Sequence, residues 1–225
     1  MIIYGKQLFW HLVKRHPEKL KKVWLAKEIE GREFAQLKRL GYEILRIDPK
    51  KAQALARGGN HQGFIAEVDE FETVPLEQMR RMRFVLFLDH VTDVGNIGAI
   101  VRSCYALGVD GLVIGGIKEP SFDGIARTSS GALFELPVAL APQVPSVLNE
   151  FKQSGFRIYG ATMDGETQWS AVAPKRLLVM GSEGKGFSPK VAKMFDEKIA
   201  IAMAHDFDSL NVSVAAGILI DRMRS

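Results

Sequence analysis

Three short stretches of this 225-residue chain set polar side chains among small or apolar neighbours, a setting that favours meeting a ligand. They are Asn96-Ile97-Gly98-Ala99-Ile100-Val101-Arg102, the glycine turn Gly181-Ser182-Glu183-Gly184-Lys185-Gly186, and Ser209-Leu210-Asn211-Val212-Ser213. Amides, a guanidinium, a carboxylate and hydroxyls can orient a hydroxylated or anionic substrate, while glycines let the backbone approach a small molecule. The turn is not a Walker loop, which ends in Lys-Ser/Thr to place lysine on phosphates and a hydroxyl on magnesium; here Lys185 precedes Gly186 and Phe187. Asp93 to Gly98 lacks the three spaced glycines of a dinucleotide fingerprint, and Gly181-Ser182-Glu183-Gly184 misses the Gly-x-Ser-x-Gly elbow. The histidines and Cys104 are scattered, with neither His-x-x-x-His nor Cys-x-x-Cys spacing, so no metal site is expected.

Taken singly, each stretch has a plainer reading. Asn96 is a good helix N-cap, Glu183 can cap the helix that follows it, and Asn211 and Ser213 suit the first turn of an apolar helix. Arg102 resists this, because Ile100, Val101 and Cys104 are apolar and a charge among them needs a partner, a phosphate included. Six residues span less than two helical turns, so Arg102 is expected within reach of the loop that Asn96 begins.

The elements that must position these residues alternate between strand and helix. Phe84 to Asp89 is nearly all apolar, as a strand covered on both faces should be. A helix from Asn96 closed by Gly108 and a strand from Asp110 to Gly115 complete a β-α-β unit with parallel strands. A loop and short helix over 124–134, a helix over 144–155 and a strand over 156–161 opening onto Thr162 follow. The strand 177–180 then leads into the glycine turn, and after a helix a strand at 199–203 precedes the third stretch. Loops at strand ends are where open α/β sheets bind ligands. In the first 70 residues, strands at 2–4, 23–25, 42–47 and 64–68 alternate with helices at 5–15, 33–40 and 50–56, a small α/β layer. The acidic, proline-containing stretch from Asp69 to Pro75 opens a linker over 71–82. The expected organisation is 1–70, linker 71–82, and a second α/β/α domain over 83–225.

Charge separates the two domains. Residues 1–70 hold 14 Lys+Arg against 9 Asp+Glu, and residues 71–225 hold 16 against 17, so the excess positive charge lies in the first domain. A basic module joined to a near-neutral one points to polyanion binding in the first and chemistry in the second, although the lysines are equally those of a solvated helix end. A single cysteine excludes an internal disulfide, and with no leader or bilayer-length apolar run a cytoplasmic setting is expected.

The three stretches, in this order, resemble the three signature motifs of the SpoU branch of the SPOUT RNA methyltransferases, over residues 84–225. Ile3-Tyr4-Gly5-Lys6 and His61-Gln62-Gly63 are similar to landmarks of the L30e-like RNA-binding domain carried by the subgroup that methylates a guanosine ribose in large-subunit ribosomal RNA. The resemblance implies transfer of a methyl group from S-adenosyl-L-methionine to a ribose 2′-hydroxyl, a homodimer, and a deep trefoil knot in the C-terminal domain. It implies structured RNA as partner, neither DNA nor membrane, with a transfer RNA ribose or a non-catalytic ribosome-assembly role as alternatives. By match to the motifs, Thr162, Met180, Gly181, Gly184, Ile201, Met203 and Leu210 would surround the cofactor. Asn96, Arg102, Glu183, Ser209 and Asn211 would form the reacting end. An arginine at the position of Arg102 has been proposed as the base in this family. Bringing a guanidinium down to a pKa near 7 would need roughly 7 to 9 kcal/mol, so a clamp on phosphate or transition state is the preferred reading. Asp208, where small residues or serine are common, is a departure that adds negative charge near the RNA site.

Overall fold

Two sheets of different kinds arise from the chain. The structure, a computed structural model, describes residues 1–169, 172–182, 184, 186–205 and 209–224. The first lobe runs β1 (Ile2–Tyr4), α1 (Lys6–Arg15), β2 (Leu20–Leu25), α2 (Gly31–Arg39), β3 (Glu43–Arg46), α3 (Pro49–Leu55) and β4 (Phe64–Val68). Its sheet has the order β1-β4-β2-β3, with β2 and β3 parallel and β4 antiparallel to both neighbours. Helix α1 buries Leu8, Phe9, Leu12 and Val13, the i, i+1, i+4, i+5 stripe of an amphipathic helix. The two sequence landmarks of this lobe form one corner: Lys6 N donates to Gln62 Oε1 (3.0 Å) and Gly5 N to Phe64 O (3.0 Å).

The chain continues through α4 (Leu76–Met79), β5 (Phe84–Asp89), α5 (Val94–Leu107), β6 (Gly111–Gly115), α6 (Phe122–Thr128) and β7 (Val138–Ala141). It ends with α7 (Val144–Gln153), β8 (Arg157–Glu166), β9 (Arg176–Gly181), α8 (Pro189–Ala192), β10 (Glu197–Ile199) and α9 (Val212–Met223). The order β10-β8-β9-β5-β6-β7 is parallel throughout. All six residues of β5 are buried because the sheet is covered on both faces. Phe84, Leu86 and Leu88 share one core with residues of α5, α6 and α9, while Val85 and Phe87 share another with α7. The register sets Asp89 level with Gly115 and Gly181, so three strand ends meet along one edge.

Two expectations are corrected. Strand β7 was not anticipated, since four residues after Pro137 carry no usable periodicity. The strand expected at 199–203 lies at 197–199, because the ladder to β8 ends where Ala200 N donates to Glu166 O (2.8 Å), the last residue of β8. The expected linker over 71–82 packs on the second lobe: Val74 N donates to Val138 O (2.8 Å), Met79 is fully buried, and Phe71 packs on Phe122 with ring centroids 4.8 Å apart. The lobes share an apolar cluster running from Phe9 and Leu12 to Leu133, so they are packed together. No helix among the described residues is long and apolar enough to cross a membrane.

Candidate active site at the starts of two helices

Asp93 begins the site. Its Oδ1 accepts from Asn96 N (2.7 Å), making Asp93 the N-cap of α5 and moving Asn96 from the expected cap into the first turn. Helix α6 locks that turn from one side, with Thr128 Oγ1 lying 2.9 Å from Val94 O and 3.0 Å from Gly124 O. Only glycine fits at position 98, where an added Cβ would stand 1.9 Å from Thr128 Oγ1 and 2.9 Å from Ser129 N.

Helix α9 locks the other side. Asn211 is its N-cap, and Asn211 Oδ1 accepts from Ser213 N (3.0 Å) and Ser213 Oγ (2.6 Å). A backbone N–H can only donate, so the atom facing it is the amide oxygen and the other end of Asn211 is its NH2. That NH2 donates to Asn96 Oδ1 (2.9 Å) across 115 residues of sequence. The same logic leaves the Asn96 NH2 directed away from Asn211. The first and third sequence stretches are therefore joined side chain to side chain by neutral amides of fixed orientation.

Arg102 does not join them. It is exposed, because Ile100, Val101 and Cys104 turn inward while Arg102 turns out, so adjacency in sequence was not adjacency in space. Six residues on from Asn96, it sits roughly 9 Å further along α5 and about 120° around it. Ser209 is exposed and Leu210 half-buried just before α9. Glu183 lies outside the described residues. The cap it could have supplied to α8 is instead Ser188, whose Oγ accepts from Val191 N at 3.3 Å.

Of the expected cofactor residues, Met180 and Gly181 end β9, Thr162 lies within β8, Ile201 and Met203 follow β10, and Leu210 immediately precedes the N-cap of α9; β10, β8 and β9 are neighbours in the sheet. Met180 is buried, Thr162, Gly181, Ile201 and Met203 are half-buried, and Gly184 is exposed with φ of 81°. Thr162 Oγ1 is buried without a hydrogen bond of ordinary geometry, although it lies close enough to Asp164 to assist Lys198 in holding that carboxyl below the usual range. An unsatisfied hydroxyl, bare glycine backbone and half-exposed apolar Ile201, Met203 and Leu210 fit a ligand with both hydrogen-bonding and apolar parts. A cavity of about 330 Å³ lined by Tyr4, Arg57, Phe122 and Asp123 lies at the lobe junction and includes none of these residues.

Asp93, Gly98 and Thr128 were missed as positioning residues. Asp93 had a readable signal, a capping carboxylate three residues before Asn96. Gly98 was a helical glycine with no stated reason, and Thr128 carried no signal linking it to a helix 30 residues earlier.

Residues 83–221 match the profile of the SpoU rRNA methylase family, and residues 2–74 match that of RNA 2′-O ribose methyltransferase substrate-binding domains. A Bacillus subtilis protein named for the TrmH family of tRNA/rRNA methyltransferases is 32% identical over 216 residues, covering 90% of this chain and 86% of its own. A Mycolicibacterium vanbaalenii protein named as an uncharacterized tRNA/rRNA methyltransferase is 33% identical over 190 residues, 80% of this chain, and the match spans 60% of that relative's length. Among solved structures, the SpoU methyltransferase AviRb of Streptomyces viridochromogenes in complex with AdoMet superposes with a TM-score of 0.79 at 22% identity, over 98% of this chain and 87% of its own. An AdoMet-bound rRNA methyltransferase of Sinorhizobium meliloti gives 0.77 at 22% identity, over 97% and 84%. These two likenesses concern the fold.

Proposed function

Since this chain belongs to the SpoU rRNA methylase family, we propose that it is an S-adenosylmethionine-dependent RNA ribose 2′-O-methyltransferase, acting in the cytoplasm on a guanosine of large-subunit ribosomal RNA. The observation that carries this reading is the Asn211–Asn96 hydrogen bond, which joins two of the three motif stretches beside the glycine-bearing strand ends. Bound at those ends by Thr162, Met180, Gly181, Gly184, Ile201, Met203 and Leu210, S-adenosylmethionine supplies an electrophilic methyl group on a sulfonium. The chain's own residues align the acceptor. The Asn96 NH2, held by Asn211 and by the Asp93 cap, hydrogen-bonds the ribose or its phosphate. Ser209 and Glu183 complete the reacting end.

Arg102 acts as a clamp on RNA phosphate. Its exposed guanidinium offers a planar fork that suits phosphate, and proton removal from the hydroxyl falls to RNA phosphate or water. Because Arg102 stands apart from Asn96 in one chain, it serves this site through the RNA or serves the site of a second copy in a homodimer. The glycine turn and the loop before α9 lie side by side in a trefoil knot. Residues 1–70 hold structured RNA through phosphate contacts, connected by 71–82 to the catalytic domain at 83–225.

Tritiated S-adenosylmethionine with RNA from cells lacking the protein, followed by mapping of 2′-O-methyl sites, tests the proposal. Label in one guanosine of large-subunit RNA is expected. Label in transfer RNA would redirect the substrate, and cofactor binding without label in any RNA would overturn the enzymatic reading.

A further inference from the structure

His11, His16 and Glu135 belong to none of the motif stretches, and the chain separates them widely. The fold brings them to one point at the lobe junction. His11 Nε2 lies 2.8 Å and His16 Nε2 2.9 Å from the same Glu135 Oε1, and the three atoms all lie within 4.8 Å of one another. A tetrahedral zinc ion with bonds of about 2.0–2.1 Å sets its ligand atoms roughly 3.3 Å apart, so opening each contact by about half an ångström admits the ion.

The rings are held in place before any ion arrives. His11 lies on Gly131, where an added Cβ would stand 2.6 Å from His11 Cδ2. His16 caps the end of α1 and faces Phe134, with ring centroids 6.0 Å apart. Behind His16, Glu18 Oε1 stands 3.6 Å from Nδ1, a small rotation short of a hydrogen bond. A carboxylate behind the second ring nitrogen is the outer partner that metal-bound histidines ordinarily have, fixing tautomer and ring orientation. Glu135 Oε1 takes both imidazole contacts from a largely buried side chain, 14% exposed. Arg15 Nε, 3.6 Å from the same oxygen, is beyond hydrogen-bonding distance. The two carboxylates of Glu18 and Glu135 outnumber the single guanidinium of Arg15 around the ring nitrogens, a balance that favours a cation between them.

We propose that His11, His16 and Glu135 form a transition-metal site, zinc in the first instance, that joins the two lobes, with water as the fourth ligand. Two imidazoles and a carboxylate are donors that zinc accepts in four-coordinate sites. Because the histidines come from the first lobe and Glu135 from the second, the bound ion fixes how the lobe bearing Tyr4 and Gln62 sits relative to Asn96.

The test uses the full chain after dialysis against chelator. Zn²⁺ or Co²⁺ is added, and bound metal per chain, thermal midpoint and the visible Co²⁺ spectrum are measured. One ion per chain, a raised midpoint and tetrahedral Co²⁺ bands are expected. His11→Gln, His16→Gln and Glu135→Gln, which retain hydrogen-bonding groups, should each abolish the midpoint shift, and Glu18→Gln should weaken affinity about 10-fold. If a variant does not fold, the wild-type Co²⁺ spectrum decides: octahedral bands alone overturn the site. No uptake by the wild type, or uptake unchanged in the His11 and Glu135 variants, also overturns it.

Discussion

The chain closes on itself at two polar seams that differ in kind. At Asn96 and Asn211 the contact is amide to amide, with no titratable side chain in the bond itself. At the lobe junction it is imidazole to carboxylate, with Arg15 and Glu18 close by and Arg57 facing Asp123 at 3.7 Å. Neutral amide bonds are directional and indifferent to salt, whereas ion pairs weaken with ionic strength and with the loss of either charge. The Asn96–Asn211 contact is thus made by groups that do not titrate. The lobe junction is held in part by charged groups, Arg57 and Asp123 among them, that respond to salt.

The sharpest way to break this contrast is at Asn211. Asn211→Ala removes both the α9 cap and the orientation of Asn96, and should lower single-turnover methyl transfer by on the order of 100-fold with a stability loss of about 1 kcal/mol. Asn211→Ser keeps the cap without the reach to Asn96, so unfolding midpoints should recover while the rate does not. Recovery of both would mean that the bond only supports the fold.

Gly98→Ala probes whether α6 must sit tight on α5. Its Cβ would strike Thr128 and the backbone at Ser129, so denaturant unfolding should show a loss of about 1–3 kcal/mol. Arg102→Lys keeps charge and loses the fork; turnover should remain measurable, reduced by about 10-fold, with no change in the shape of its pH profile. An abolished rate would return the base role to Arg102.

The smallest effect is expected at the junction. Burial would raise the Asp123 pKa, but Ser121, the Gly124 amide and Arg57 outweigh it and hold the carboxyl low. A depressed folded pKa stabilises above the ordinary carboxylate range, and that contribution is lost as pH falls through the folded value. Asp123→Asn should therefore cost under about 1 kcal/mol near neutrality, Asp123 being partly exposed. The difference from the wild type should vanish as pH falls below the ordinary carboxylate range and through the depressed folded value. A gap that persists in acid would show that the amide substitution acts through something other than lost charge.

Much of this was legible in the sequence because it is local. Apolar runs such as 84–89, the stripe of α1 and the proline at the start of α3 declare their elements within a few residues. The motif stretches singled out Asn96 and Asn211, which the fold joins side chain to side chain. What the sequence withheld is spatial: that Arg102 faces outward, that Thr128 fills the space over Gly98, and that two dispersed histidines meet one glutamate. Those depend on helix phase and on which lobe packs where, and no window of neighbouring residues contains that information. The packing of 71–82 is hidden for a related reason, since its acidic, proline-bearing composition describes its outer face while Met79 and Phe71 describe what it touches.

The all-parallel second sheet has a consequence for how the protein is made. Strand β5 is wanted at the centre, but its partner β9 begins at Arg176, close to ninety residues later. During synthesis at about 5–20 residues per second, β5 can pair with β6 while its other edge waits roughly 5 to 20 seconds for β9 to emerge. An apolar strand with one free edge is a template for joining the wrong chain. The first lobe, complete by residue 68, is then a folded neighbour able to shield the nascent sheet.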